Sequence, residues 1–155
     1  MSGKEAKTPE HHEVFIKNLK YATKFLEQEG ITGVLEPINH ISVPGYFLHD
    51  YNYAIDVINT VGSSHLKLMV DLFHMQILNG NIINTLKTIM PVVGHVQIAQ
   101  TPDRNEPNTP GELNLQYILD FLEKNGYNDH VGCEYRPLTT TSEGLLWIQE
   151  FGYKL

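Results

Sequence analysis

The sequence predicts a parallel α/β fold, and three observations carry that prediction. Four short apolar runs, over residues 33–38, 66–73, 93–99 and 131–135, each give way to a segment with helical spacing. Turn and stop signals at Gly30, Pro44-Gly45, Gly62, Pro91 and Asn125-Gly126 punctuate the segments. Each run also ends in, or carries, one side chain with a metal-type oxygen: Glu36, Asp71, Gln97 and Glu134, spaced 35, 26 and 37 residues apart. A strand-helix-strand step takes about 30 residues. The four therefore fall at the same level of successive strands, at the carboxyl ends where parallel folds gather their chemistry.

The elements follow in order. Thr8-Pro9-Glu10 reads as a helix start, with Thr8 the N-cap and Pro9 the first helical residue. Val14, Leu19, Ala22, Phe25 and Leu26 recur at helical spacing up to the stop at Gly30. After the strand at Gly33–Ile38 and a loop, a helix is expected from about Asp50 to Val61, and a second strand from Leu66 to Phe73. The third helix lies near Ile82–Ile89 and the third strand over Val93–Ala99. The fourth helix spans about Leu115–Lys124, the fourth strand Val131–Tyr135, and a last helix about Thr141–Gly152, with Ser142 its cap. Alternation of this kind implies right-handed βαβ units. The polar loop at residues 100–112 is longer than most βα connections, and such loops are often functional.

Composition narrows the function. The 155 residues suffice for one domain, spanning 1–155, with a sizeable core. A formal net charge of −7 argues against nucleic-acid and anionic-membrane partners, which need clustered Lys and Arg. Lys17, Lys20 and Lys24 share helical spacing, but Glu10, Glu13, Glu27 and Glu29 dilute them. Cys133 is the only cysteine, so it forms no intrachain disulfide, and it reads as a small buried residue. No stretch has transmembrane length and the N-terminus lacks an apolar signal core, so a cytoplasmic protein is expected.

A carboxylate in an apolar strand is costly unless paired or ligated. A salt bridge at a strand end accounts for one such residue; three in register with Gln97 point to a metal site. Oxygen-only ligation favours Mg²⁺ or Mn²⁺ over Zn²⁺ or Cu²⁺. His74, where the second strand runs into its loop, either donates a hydrogen bond to a bound oxygen or bonds backbone. His95 shares a strand face with Gln97 and is expected beneath the site. Arg104, on the long loop, either clamps a substrate carboxylate or pairs with Asp103 or Glu106. Glu112 reads as a helix-start acid.

These residues sit in L-E-P-I-N, V-D-L-F-H-M-Q, G-H-V-Q-I-A-Q-x-P-x-R-N-E-P, P-G-E-L-N and V-G-C-E-Y-R-P. Together the motifs resemble the hydroxypyruvate isomerases of the xylose-isomerase-like barrel superfamily, over nearly all the chain from Val14 onward. The resemblance implies a TIM-barrel architecture and a divalent metal, Mg²⁺ or Mn²⁺, held by Glu36, Asp71, Gln97 and Glu134. It implies an isomerase that interconverts hydroxypyruvate and 2-hydroxy-3-oxopropanoate through an enediolate, with Glu36 and Glu134 as acid and base. His74 and Arg104 match substrate-contacting positions, and Arg104 suits the carboxylate of a 2-oxo acid. Eight-unit barrels run to about 250 residues. This chain matches only the fifth to eighth units and the preceding helix, a half-barrel of four strands. Two alternatives stand beside the isomerase: an inactive short form that associates with a second copy through exposed sheet edges, and a ketose epimerase.

Overall fold

The structure, a computed structural model, describes residues 3–4 and 6–154. It comprises two compact units, one of residues 1–70 and 91–95 and the other of 71–90 and 96–155.

In the first unit, α1 (Pro9–Glu29) starts as the sequence predicts: Thr8 accepts a hydrogen bond from the His11 N–H at 3.2 Å. It stops at Gly30, whose φ of 65° is left-handed backbone that glycine adopts without strain. β1 (Gly33–Leu35) is followed by a loop and then by α2 (Tyr51–Val61), capped by Asp50 and closed by Gly62. β2 (Leu66–Asp71) runs parallel to β1, with Gly33 opposite Leu66 and Leu35 opposite Leu68. Leu66, Leu68 and Val70 are buried while Lys67 and Met69 are half-buried, the alternation a pleated strand imposes. Gly94, near the start of β3 (Val93–Ile98), lies so close to Lys67 that a Cβ there would collide with its side chain. Glycine is thus what lets β3 approach β2.

The second unit begins with α3 (Leu72–Leu78) and α4 (Ile82–Ile89). α4 buries Ile82, Leu86 and Ile89, one face at spacings of four and three. The later half of β3 pairs in parallel with β4 (Val131–Cys133), Val96 opposite Val131 and Ile98 opposite Cys133. Between them, α5 (Leu115–Lys124) is capped by Asn114, which accepts from the Tyr117 N–H at 3.1 Å, and buries Leu115, Ile118, Leu119 and Leu122. A 3₁₀ turn at Glu143–Leu145 leads into the single-turn α6 (Trp147–Glu150). The strand order is β1-β2-β3-β4, sequential as repeated parallel strand-helix units require.

Four expectations are corrected. The second strand does not continue to Phe73. Asp71 accepts the Phe73 N–H at 2.9 Å and so starts α3 at once, placing His74 on a helix rather than in a loop. The first and fourth strands are three residues each; Pro37 offers no N–H for a ladder past Glu36. The last helix shrinks to α6 and its preceding turn, because Ser142 takes helical backbone and makes no side-chain cap. Cys133 is exposed, not buried.

Candidate metal and acid-base centre

Three residues of the second unit converge on one guanidinium. Asp71 is completely buried at the end of β2: Oδ1 accepts the Phe73 N–H, and Oδ2 accepts from Arg104 Nη2 at 2.9 Å. The same Nη2 lies 3.1 Å from Glu134 Oε2, and Arg104 Nε donates to the Glu134 carbonyl at 3.3 Å. The guanidinium stacks over the Phe73 ring, 4.8 Å from its centroid. Nη1 has no partner among the described residues. Arg104 itself has a φ of 61°, backbone that a branchless glycine would adopt more easily. Its loop is held by Arg104 N–H to Gln100 O at 2.9 Å and by Arg136 N–H to Arg104 O at 2.7 Å.

Charge and burial set the protonation states. Burial pushes the Asp71 carboxyl up to about 6, with the Arg104 guanidinium pulling the other way. Burial also pushes His74 down to about 4, and Arg104 adds to the shift. His74 is therefore neutral near pH 7. Its Nε2 stands 3.6 Å from Asp71 Oδ2, too far for a hydrogen bond and uncharged, so the contact is polar rather than an ion pair. Asp71 and Arg104 pair in a dry setting, whereas Glu134 is half exposed and its share of the pairing is screened by water.

Gln97 lies on β3, one residue before its end. Its Oε1 is shielded from solvent and accepts no hydrogen bond from any described residue. A buried carbonyl oxygen without a donor is costly, and a cation is one group that satisfies it. The Gln97 amide and the carboxylates offer oxygen, which fits a hard cation such as Mg²⁺ or Mn²⁺, while the His74 ring brings a nitrogen beside Asp71. Asp71 and His74, both buried, each offer a ligand atom. Glu36, half-buried, follows β1 directly in the first unit, and His95 is half-buried on β3.

The long loop is more ordered by its own polar bonds than its composition suggests. Gln100 is buried; its Oε1 accepts from Thr101 N and Leu113 N, and its Nε2 donates to Leu113 O at 2.9 Å. Gly111 packs against Gln100 at a distance no Cβ could tolerate. Glu112 accepts from Gln76 Nε2 at 3.3 Å, while Asn114 starts the helix in its place. Sequence reasoning missed Phe73 as the stacking platform, Asp71 as a cap and Gln100 as the loop's anchor. For Asp71 the signal was present, since Asp before an apolar helical run is an N-cap pattern. Gln100 carries no local signal, because apart from the adjacent Thr101 its side-chain partners lie 9 and 13 residues away.

With fold and geometry in place, the chain belongs to the xylose isomerase-like TIM barrel family, whose profile matches residues 1–151. It is 48% identical over 143 residues to a Xenopus laevis protein that bears hydroxypyruvate isomerase as a provisional name, covering 92% of this chain and 52% of that one. It is 41% identical over 140 residues to the hydroxypyruvate isomerase of Escherichia coli K12, covering 90% and 54%. Among solved structures, a family 2 AP endonuclease from Brucella melitensis superposes with a TM-score of 0.89 at 37% identity, over 95% of this chain and 57% of the other. The chain thus spans about half the length of the curated relatives it matches.

Proposed function

We propose that this chain is an isomerase of a small 2-oxo acid, interconverting hydroxypyruvate and 2-hydroxy-3-oxopropanoate. The observation that carries the reading is the meeting of Arg104 with Asp71 and Glu134; the Gln97 Oε1, buried on β3 with no hydrogen-bond partner among the described residues, supports it. The similarity to hydroxypyruvate isomerases supports the substrate class. The cation, Mg²⁺ or Mn²⁺, is assigned to Glu36, Asp71, Gln97 and Glu134, each at or beside a strand's carboxyl end. When bound, it supplies positive charge against which an enediolate's oxygens are stabilised.

The protein's own residues do the rest. Arg104 takes the substrate carboxylate through its free Nη1 edge, which fixes the 2-oxo acid in one orientation. One of Glu36 and Glu134 removes a proton from C3 of hydroxypyruvate, and the other delivers a proton to C2. A hydroxyl proton moves from O3 to O2, so the product is an isomer with no external redox partner. Neutral His74 donates a hydrogen bond to a substrate oxygen and stays uncharged through the cycle. The single free cysteine agrees with a cytoplasmic setting. The test is incubation with hydroxypyruvate and Mg²⁺ or Mn²⁺, following 2-hydroxy-3-oxopropanoate, with Glu134→Gln as control. Metal-dependent turnover lost in the control supports the reading; its absence from folded protein overturns it.

A second reading, in which the chain works through association with another copy, is favoured by one observation. Val14, Tyr21 and Phe25 share one face of α1 and are each at least half exposed. Sedimentation that stays monomeric across concentration counts against it.

A further inference from the structure

We propose that Glu106 and Asn105 are positioning residues: they clasp the segment after β4 and thereby set where Glu134 and Arg104 stand. The inference rests on the functional reading above and adds residues to it. β4 ends at Cys133, so beyond Glu134, whose N–H still donates to Ile98 O at 3.2 Å, no regular ladder fixes the backbone. Side chains take over. Arg136 N–H donates to Arg104 O at 2.7 Å, Asn105 Nδ2 donates to Arg136 O at 2.8 Å, and Leu138 N–H donates to Glu106 Oε1 at 2.8 Å. Three consecutive loop residues, 104 to 106, thus fasten residues 136 and 138 of the facing segment. Holding residues 136 and 138 restrains the segment two and four residues past Glu134, and so the direction in which Glu134 leaves the strand. Glu134 needs this, because its half-exposed side chain has little packing of its own.

Glu106 is built for a clasp. It is 6% exposed, and Thr109 pins its carbonyl through both N–H (3.1 Å) and Oγ1 (2.7 Å). Gly144 packs within 3 Å of Oε1 on any added Cβ, so the 3₁₀ turn closes over the carboxylate. Oε2 is buried and has no partner among the described residues. A buried carboxylate is costly, and its one bond reaches across to the segment that carries Glu134. Groups that orient ligands and catalytic side chains act in this way, through a neighbour rather than on the substrate.

The experiment compares the full chain with Glu106→Ala, Glu106→Gln and Asn105→Ala. It reads amide hydrogen exchange at Arg136 and Leu138 and Mn²⁺ affinity by calorimetry. Glu106→Ala is expected to speed exchange at Leu138 at least tenfold and to weaken Mn²⁺ binding at least fivefold. Glu106→Gln keeps the accepting oxygen and is expected to stay within twofold of wild type in both. Asn105→Ala changes only a half-buried amide. It is expected to speed exchange at Arg136 and weaken Mn²⁺ binding less, and it serves if Glu106→Ala fails to fold. Unchanged exchange in folded variants overturns the clasp, and so does faster exchange with Mn²⁺ affinity within twofold, which a merely structural bond would give. Wild-type protein that binds no Mn²⁺ instead overturns the reading of the site, and the proposal with it.

Discussion

Gln97 is the residue whose environment asks most plainly for a ligand. If its orphaned Oε1 served only packing, replacement by leucine would remove a buried polar cost of about 1–3 kcal/mol. Gln97→Leu is expected to keep or raise the melting temperature while lowering Mn²⁺ affinity at least tenfold in calorimetry. Unchanged affinity would remove Gln97 from the ligand set. Arg104 makes the opposite prediction. It lays positive charge on two carboxylates proposed to hold a cation, so Arg104→Gln should bind Mn²⁺ more tightly. The same change should raise the KM for hydroxypyruvate at least tenfold, because the carboxylate loses its partner.

Asp71 and His74 govern the response to pH, and their signs oppose. The Asp71 carboxyl lies above its ordinary value, at about 6. Its contribution to stability is present at low pH and is lost as pH rises through 6. His74 lies below its ordinary value, at about 4. Its contribution is present above pH 6.5 and is lost as pH falls through 4. Between 4 and 6 the two slopes largely cancel. Asp71→Asn removes one of them, so denaturant titrations of that variant should show stability falling steadily from pH 6.5 to 4. Cation binding needs the ionised carboxylate, so Mn²⁺ affinity should rise up to about tenfold per pH unit toward 6 and level off above it.

Among the elements, the loop between β3 and α5 combines a network of polar bonds with one very tight packing contact. Gly111 against Gln100 leaves no room for a methyl group, and overpacking of this kind costs about 1–3 kcal/mol. Gly111→Ala should lower the melting temperature, because both the Gln100 side chain and the Thr101 carbonyl stand where the methyl group would go. The helices were readable in advance where end signals and periodicity agreed. Thr8-Pro9 and Gly30 bound α1, and α4 and α5 occupy the predicted residues, because caps and stop residues act within one turn. α3 was not readable. Its seven residues directly abut a strand, and V-D-L-F continues an apolar run that alone cannot tell strand from helix.

For the whole molecule, the family assignment and the sequential order of parallel strands agree with the repeat of strand, helix and oxygen ligand. The edge strands β1 and β4 are only three residues long, and short edges limit unwanted pairing. The surface proposed above for association is the exposed apolar face of α1. Replacing Tyr21 and Phe25 by lysine should shift any concentration-dependent sedimentation to a monomer. An unaltered sedimentation profile would place the contact elsewhere.

The sequence by itself determined the class of fold and the ends of α1, α2, α4 and α5, and it marked Glu36, Asp71, Gln97 and Glu134 as candidates, because periodicity, capping and strand spacing are local properties. Only the tertiary structure decided what those residues touch. Arg104 reaches Asp71 across 33 positions and Glu134 across 30, choosing them over its sequence neighbours Asp103 and Glu106. Leu138 finds Glu106 at a separation of 32. Such contacts arise because parallel strands bring distant carboxyl ends to one level, and burial then strengthens whichever charges meet there.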